Sequence, residues 1–289
     1  MSERIARLTI MVAAAAIAGC SQSTPSGSAD TQSADASGWK QPRTAWGDPD
    51  LQGMWPIINL ISTPFQRPVD QQGNPIYGDR EELTDHGKDL AAKMRSSWSG
   101  TVFEKPTDFD TWDRCITRGL PPSMFPFNYN NGIEIIQAPG YVVVRLEMIH
   151  EARVIPVDGR GPLDPAIKQW MGESRGHFEG NTLVVETTNF NGLTAMTNVG
   201  IPGSPRGDTP TTVNMKITER FTRTDADTIQ YEMYVDDPEV LTQPWKARYP
   251  MQRDDSYQFF EYACNEDNTA IRNYIVTSRY ERAQAAKKQ

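Results

Sequence analysis

YVVVRLEMIHEARVIPVDGR (Tyr141–Arg160) and SRGHFEGNTLVVETTNF (Ser174–Phe190) decide the fold class of this chain. Each places β-branched and aromatic residues on either side of a polar turn, the pattern of a β-hairpin. Tyr141 to Glu147 is expected to pair with Ala152 to Val157, and His177 to lead through Glu179-Gly180-Asn181 into Thr182 to Phe190. The same grammar continues downstream. Met215 to Arg223 turns at Thr224-Asp225-Ala226-Asp227 into Thr228 to Val235, and Trp245 to Met251 turns at Arg253-Asp254-Asp255 into Tyr257 to Cys264. Asp, Asn and Gly supply such connections because they tolerate the backbone angles a tight turn needs. About eight strands in consecutive hairpins predict a mainly β domain, an antiparallel β-barrel with a β-sandwich as the alternative. Propeller blades are disfavoured, since no motif repeats from hairpin to hairpin.

Outward from this core the chain changes character. Ile133 to Gln137 reads as one more strand, preceded by a loop in which Pro121, Pro122 and Pro126 exclude helix. Leu83 to Ser97 predicts a short amphipathic helix with Thr84 as N-cap and a solvated His86 in its first turn. Asp164 to Gly172 and Thr269 to Lys288 are further helix candidates, and Asn191 to Thr212 is a long Gly/Pro/Thr loop suited to a lid.

The N-terminus reads as export machinery. Arg4 and Arg7 precede an apolar run from Leu8 to Ala18, too short to span a bilayer as a permanent anchor, and Ile17-Ala18-Gly19-Cys20 resembles the bacterial lipoprotein box in which Cys20 is acylated. Ser21 at the next position favours the periplasmic face of the outer membrane; an ordinary secretory signal with an incidental cysteine is the alternative. Residues 21–38 are built from Ser, Thr, Ala, Gly, Asp, Gln and Pro and form a tether. The expected division is signal 1–20, tether 21–38, an irregular arm with a short helix over 39–132, and an antiparallel β domain with a C-terminal helix over 133–289.

The formal net charge of −8 becomes −9 once Arg4, Arg7 and Glu3 leave with the signal, and no basic run exists to neutralise phosphates, so nucleic acid is excluded as a partner. With Cys20 assigned to lipid, Cys115 and Cys264 remain, and an oxidising periplasm favours a bridge between them. A nucleophilic cysteine is the other reading.

Strand phase singles out polar residues among apolar ones. Glu219 is in step with Met215, Ile217 and Phe221; Asp237 with Ile229, Tyr231, Met233 and Val235; Glu261 with Tyr257, Phe259 and Ala263. A buried carboxylate needs a partner, and Arg145, Arg153, Arg175, Arg220 and Arg248 are the candidates, either as structural ion pairs or as parts of a polar pocket. Tyr231, Asp237, Glu261 and Asn189 are the candidate ligand-binding set. Glu147, His150 and Arg153 bracket one turn, while Arg175 and His177 open the next hairpin. An imidazole beside a carboxylate supports acid–base chemistry, and arginine stabilises an anion; solvated turn histidines are the plainer reading. His150, His177 and a carboxylate would be acceptable metal ligands, yet their spacing matches no metal motif, and no phosphate loop, dinucleotide fingerprint or GxSxG elbow occurs. No metal or cofactor is expected.

PRTAWGDPDLQGMW (Pro42–Trp55), TPFQRP (Thr63–Pro68), the Glu147-x-x-His150-x-x-Arg153 spacing and the SRGxxEGxT run from Ser174 resemble an uncharacterised family of exported bacterial proteins and lipoproteins. That family tends to read Ala-Cys-His where this chain has Ala263-Cys264-Asn265, so any role of such a histidine is lost here. Gly53-Met54-Trp55 is also similar to the opening signature of a lipocalin barrel, although Pro56 interrupts the strand that should follow. The expectation is therefore a lipid-anchored, lipocalin-like barrel binding a small apolar or aromatic molecule. Its alternatives are a cofactor-independent exported hydrolase, lyase or isomerase using His150 or His177 with Glu147 or Glu219 and Arg153 or Arg175, and a structural envelope protein without a pocket.

Overall fold

Alternation of apolar and polar residues does what a pleated strand requires, sending every second side chain into a common core. The computed structural model describes residues 38–58, 82–97, 102–127, 129–197 and 209–288. The expected signal, Cys20 and nearly all of the tether lie outside these residues, as do 198–208 of the long loop.

β1 (Gly53–Met54), β2 (Ile133–Ala138), β3 (Tyr141–Leu146) and β4 (Ala152–Pro156) form one antiparallel sheet in that order. β5 (Glu173–Glu179) and β6 (Thr182–Thr188) begin the second sheet; a small ribbon of β7 (Ala195–Thr197) and β8 (Thr209–Pro210) follows, and β9 (Lys216–Arg223), β10 (Thr228–Asp236) and β11 (Trp245–Gln252) complete it in the order β11-β10-β9-β6-β5. The hairpins expected at β3–β4, β5–β6 and β9–β10 all form, with Tyr141 opposite Pro156, Glu179 opposite Thr182 and Ile229 opposite Arg223. Gly180 carries a φ of +61° in the β5–β6 turn, a region an L side chain seldom adopts.

Between the sheets Val142, Val144, Leu146 and Ile155 face Leu183, Val185, Ile217, Phe221, Tyr231 and Tyr249, all buried. Each such side chain contributes about 1.5–3 kcal/mol relative to leaving it in water. Trp55 enters this core from the arm, its Nε1 donating to Leu51 O at 2.9 Å, and β1 pairs Gly53 with Ile135, so the Gly-x-Trp triplet does start an edge strand.

Three expectations change. Among the described residues the hydrogen bonds form two separate sheets and no closed barrel: no ladder joins β4 to β5, whose edges meet through Ile155 and Val157 against Gly176. Tyr257 to Cys264 is not a strand; it crosses over the first sheet, with Phe259 under the Arg145 guanidinium at 4.0 Å, and leaves Glu261 exposed. Asp164 to Gly172 is a set of turns, because the Asp164 side chain accepts from Ala166 N at 2.8 Å and its carbonyl from Ile167 N at 2.9 Å. The helices α1 (Asp85–Ala91) and α2 (Ala270–Ala286) form, α1 covering only the first part of the expected Leu83 to Ser97 span, with Thr84 Oγ1 accepting from Gly87 N at 2.9 Å.

Candidate functional site

Glu219, on the inner face of β9, meets Arg153, on the inner face of β4, across the gap between the two sheets. Arg153 Nη1 donates to Glu219 Oε1 at 2.9 Å and Nη2 to Oε2, while Tyr231 Oη donates to Oε1 at 2.8 Å. Nη2 also reaches Ser174 Oγ at 3.2 Å, itself 2.9 Å from Thr187 Oγ1. Arg153 is 4 % and Glu219 0 % exposed. Burial by itself would lower the Arg153 pKa, but the Glu219 charge outweighs it and holds the guanidinium above its ordinary value. Burial, then the same carboxylate, pushes the Tyr231 phenol well up. The knot is a charge-compensated, fully hydrogen-bonded structural pair.

Glu147 is clamped differently. Its carboxylate accepts from Asn130 Nδ2 and Gly132 N at 2.9 Å, Phe260 N at 3.1 Å and Tyr257 Oη. A Cβ at Gly132 would lie 2.8 Å from Glu147 Oε2 and from Tyr257 Cε1, so this approach needs glycine. The clamp fastens the chain from Tyr257 onward to the first sheet. It does not orient His150, whose Nδ1 lies 2.9 Å from Tyr262 O. Ile149 and His150 both take positive φ, 58° and 43°, in the β3–β4 turn.

His177 lies on the outer, solvent-facing side of β5, with Nε2 3.2 Å from Glu179 Oε1; Arg220 Nη1 holds the other oxygen at 2.9 Å. Arg175 pairs with Glu173 and donates from Nε to Gly161 O at 2.9 Å. The two histidines thus belong to different sheets and share no partner among the described residues. Asp237 is buried and satisfied by Thr212 N at 2.7 Å and Thr212 Oγ1 at 2.8 Å, with burial raising its pKa. Asn189 Nδ2 points to Leu163 O and Asp164 O at 3.4 Å. Of the expected ligand-binding set only Glu261 borders the aromatic-lined cavity beside Cys115 and Cys264.

That cavity, about 540 Å³, lies outside the sheets, between the segment around 109–115, the crossing segment 261–264 and the start of α2. The Cys115–Cys264 disulfide, with Cα atoms 5.5 Å apart, joins two of its walls. Phe109 stacks on Phe103 at 4.6 Å, and Tyr274 meets both edge-on at 5.4 and 5.8 Å. Trp112 meets Phe127 edge-on at 5.0 Å, and the Tyr129 and Tyr262 rings lie parallel with centroids 6.4 Å apart. Burial, then Tyr262, pushes the Tyr129 phenol up to about 12. Asp113 is occupied by Ser97 N at 2.7 Å and Ser97 Oγ at 2.6 Å, whereas Glu261 stays exposed at the rim.

Strand phase missed Trp112, Tyr129 and Tyr274 because they sit on irregular chain and on a helix; the aromatic density of 109–129 beside Cys115 was the available signal. Comparison with models of protein families, with curated proteins and with solved structures finds no match to this chain.

Proposed function

We propose that this chain is an exported, lipid-anchored protein that holds a small apolar or aromatic molecule, and that the molecule sits in the aromatic cleft beside Cys115–Cys264. One observation carries the reading: a cavity of about 540 Å³ bounded by Phe109, Trp112, Tyr129, Tyr262 and Tyr274, within the range of small-molecule sites. The space between the sheets, where a lipocalin-like barrel would keep its ligand, is filled by Trp55, Phe221, Tyr231 and Tyr249, so the ligand is assigned to the cleft. A single aromatic ring burying about 150 Å² gains roughly 4 kcal/mol before ordering costs, and Glu261 and Asn268 at the wall offer polar contacts. A disulfide spanning 149 residues suits an oxidising compartment, which supports the export reading of residues 1–20.

The enzyme alternative lacks a carboxylate-oriented histidine at the cleft, since Glu147 is spent on four donors. The test is equilibrium dialysis of the exported protein against a mixture of small aromatic and terpenoid compounds, with mass spectrometry of bound and transformed species. A compound retained unchanged, bound about tenfold more weakly by Tyr262→Ala and Tyr274→Ala and equally by His150→Ala, is the expected result. Retention indifferent to both tyrosine changes removes the cleft from the proposal; a product that disappears in His150→Ala replaces binding with catalysis.

A further inference from the structure

The charged groups that line the aromatic cleft are all of one sign. Among the described residues no lysine, arginine or histidine lines it, yet two carboxylates do, Glu261 and Asp113. The Glu261 side chain is exposed at the rim and has neither an ion pair nor a hydrogen bond there. Asp113 is half-buried; each of its oxygens accepts one hydrogen bond from Ser97, but no cation pairs with it.

The two amides in the wall are turned the same way. Asn268 Nδ2 donates to Asp113 O at 3.3 Å and Cys115 Sγ at 3.1 Å, and Asn130 Nδ2 donates to Glu147 Oε1 at 2.9 Å. Each spends its amino end on the protein and keeps its carbonyl oxygen. Apart from the tyrosine hydroxyls, a ligand therefore meets acceptors, negative charge and rings. Tyr129 and Tyr274 are exposed and Tyr262 is half-buried, whereas Phe109 and Trp112 are nearly closed off from water. One buried cation, Arg118, lies over the Trp112 ring at 5.2 Å; it is 3 % exposed and does not line the cleft. Its charge opposes a second cation on Trp112, which leaves the tyrosines and Glu261 as the place for one.

Resting on the reading of this cleft as a ligand site, we infer that its ligand is a protonated organic amine. The ammonium N–H groups donate to Glu261, the tyrosine faces attract its charge, and its apolar or aromatic body packs toward Phe109 and Trp112. Asp113, half-buried and without a counter-cation, deepens the negative field. An anion of the same shape meets two uncompensated carboxylates and is rejected.

Equilibrium dialysis of the full exported protein tests it with three probes that share one ring and a short chain and differ in charge: 2-phenylethylammonium, 2-phenylethanol and phenylacetate. The ammonium should bind about tenfold more tightly than the alcohol, and phenylacetate more weakly than either. Raised sodium chloride should shrink the ammonium's advantage. Glu261→Gln should cut the ratio of ammonium to alcohol affinity about threefold. Arg118→Met, which breaks no ion pair among the described residues, should fold at least as stably and raise that ratio. Because the ratio is taken within each variant, partial unfolding does not imitate either change. Alcohol and ammonium bound equally, with both lost in Tyr262→Ala, would keep the cleft as a ligand site and overturn the cationic class. A ratio indifferent to both charge changes would overturn it as well, and failure of all three probes to bind at millimolar concentration would reject the class and the cleft together.

Discussion

Arg153 and Arg118 are both almost fully buried, yet among the described residues only Arg153 has a carboxylate partner. The difference sets opposite expectations for their removal. Arg153→Met strands Glu219 uncompensated at 0 % exposure and should cost about 3–5 kcal/mol in denaturant unfolding. Joining it to Glu219→Leu should recover most of that loss, because two apolar groups need no compensation; a double variant as unstable as the single one would show that the pair is not the source of the cost. Glu151 makes a pH-dependent case. Burial raises its carboxyl above the ordinary 4.5, with the Thr117 hydroxyl and the Arg118 backbone N–H pulling the other way. The folded state then holds its proton more tightly than the unfolded one, so stability falls as pH rises from 4.5 through the raised value and levels off above it. Glu151→Gln removes that dependence, and its stability advantage over the parent should grow with pH across this window. Parallel unfolding curves at several pH values check it, and a constant gap would refute the assignment.

Whole elements were legible where local chemistry and tertiary packing agree. Thr84 caps α1, the Asp- and Gly-rich turns close β5–β6 and β9–β10, and Glu219 was marked as an inward carboxylate by phase alone. Tyr257 to Cys264 misled for a physical reason. Its alternating rings fit a strand equally well whether they enter a sheet core or lie across Glu147 and Arg145, and only the tertiary positions of those two residues decide. The same ambiguity hid the cleft, since the site is made by irregular chain that has no period to read. The Cys115–Cys264 bridge holds this crossing segment, and closing a loop of 149 residues is worth about 4–5 kcal/mol in the chain-entropy model. Cys115→Ser with Cys264→Ser should therefore lower unfolding stability by a large part of that amount and abolish ligand retention in the cleft. Identical stability, with unchanged migration on gels run with and without reductant, would count against the bridge.

Across the molecule, two kinds of fastening operate. β9 and β10 are held by ladders on both edges and by the buried core, whereas the chain from 257 to 288 is held by the Glu147 clamp, the disulfide, the contacts of Phe259 with Arg145 and of Tyr262 with His150, the packing of Tyr274 on Phe103 and Phe109, and a few polar contacts of α2. Those α2 contacts are modest: Phe103 N donates to Ser278 Oγ at 3.0 Å, Arg279 Nη2 to Glu104 O at 2.8 Å, and Arg282 pairs with an exposed Glu104 at 3.3 Å. Surface pairs of this kind contribute about 0–1 kcal/mol each, so the bridge adds more than any one of them. Local opening follows such differences, with free energies running from near zero at weakly fastened parts to the global value in the core. Reduction should accordingly speed amide exchange over 257–288 by more than about tenfold while leaving β9 and β10 protected, and cleft binding should vanish with the sheets intact. Were β9 and β10 to lose protection together with α2, the disulfide would be part of the core's own stability, and the aromatic cleft could not open and close independently of the two sheets.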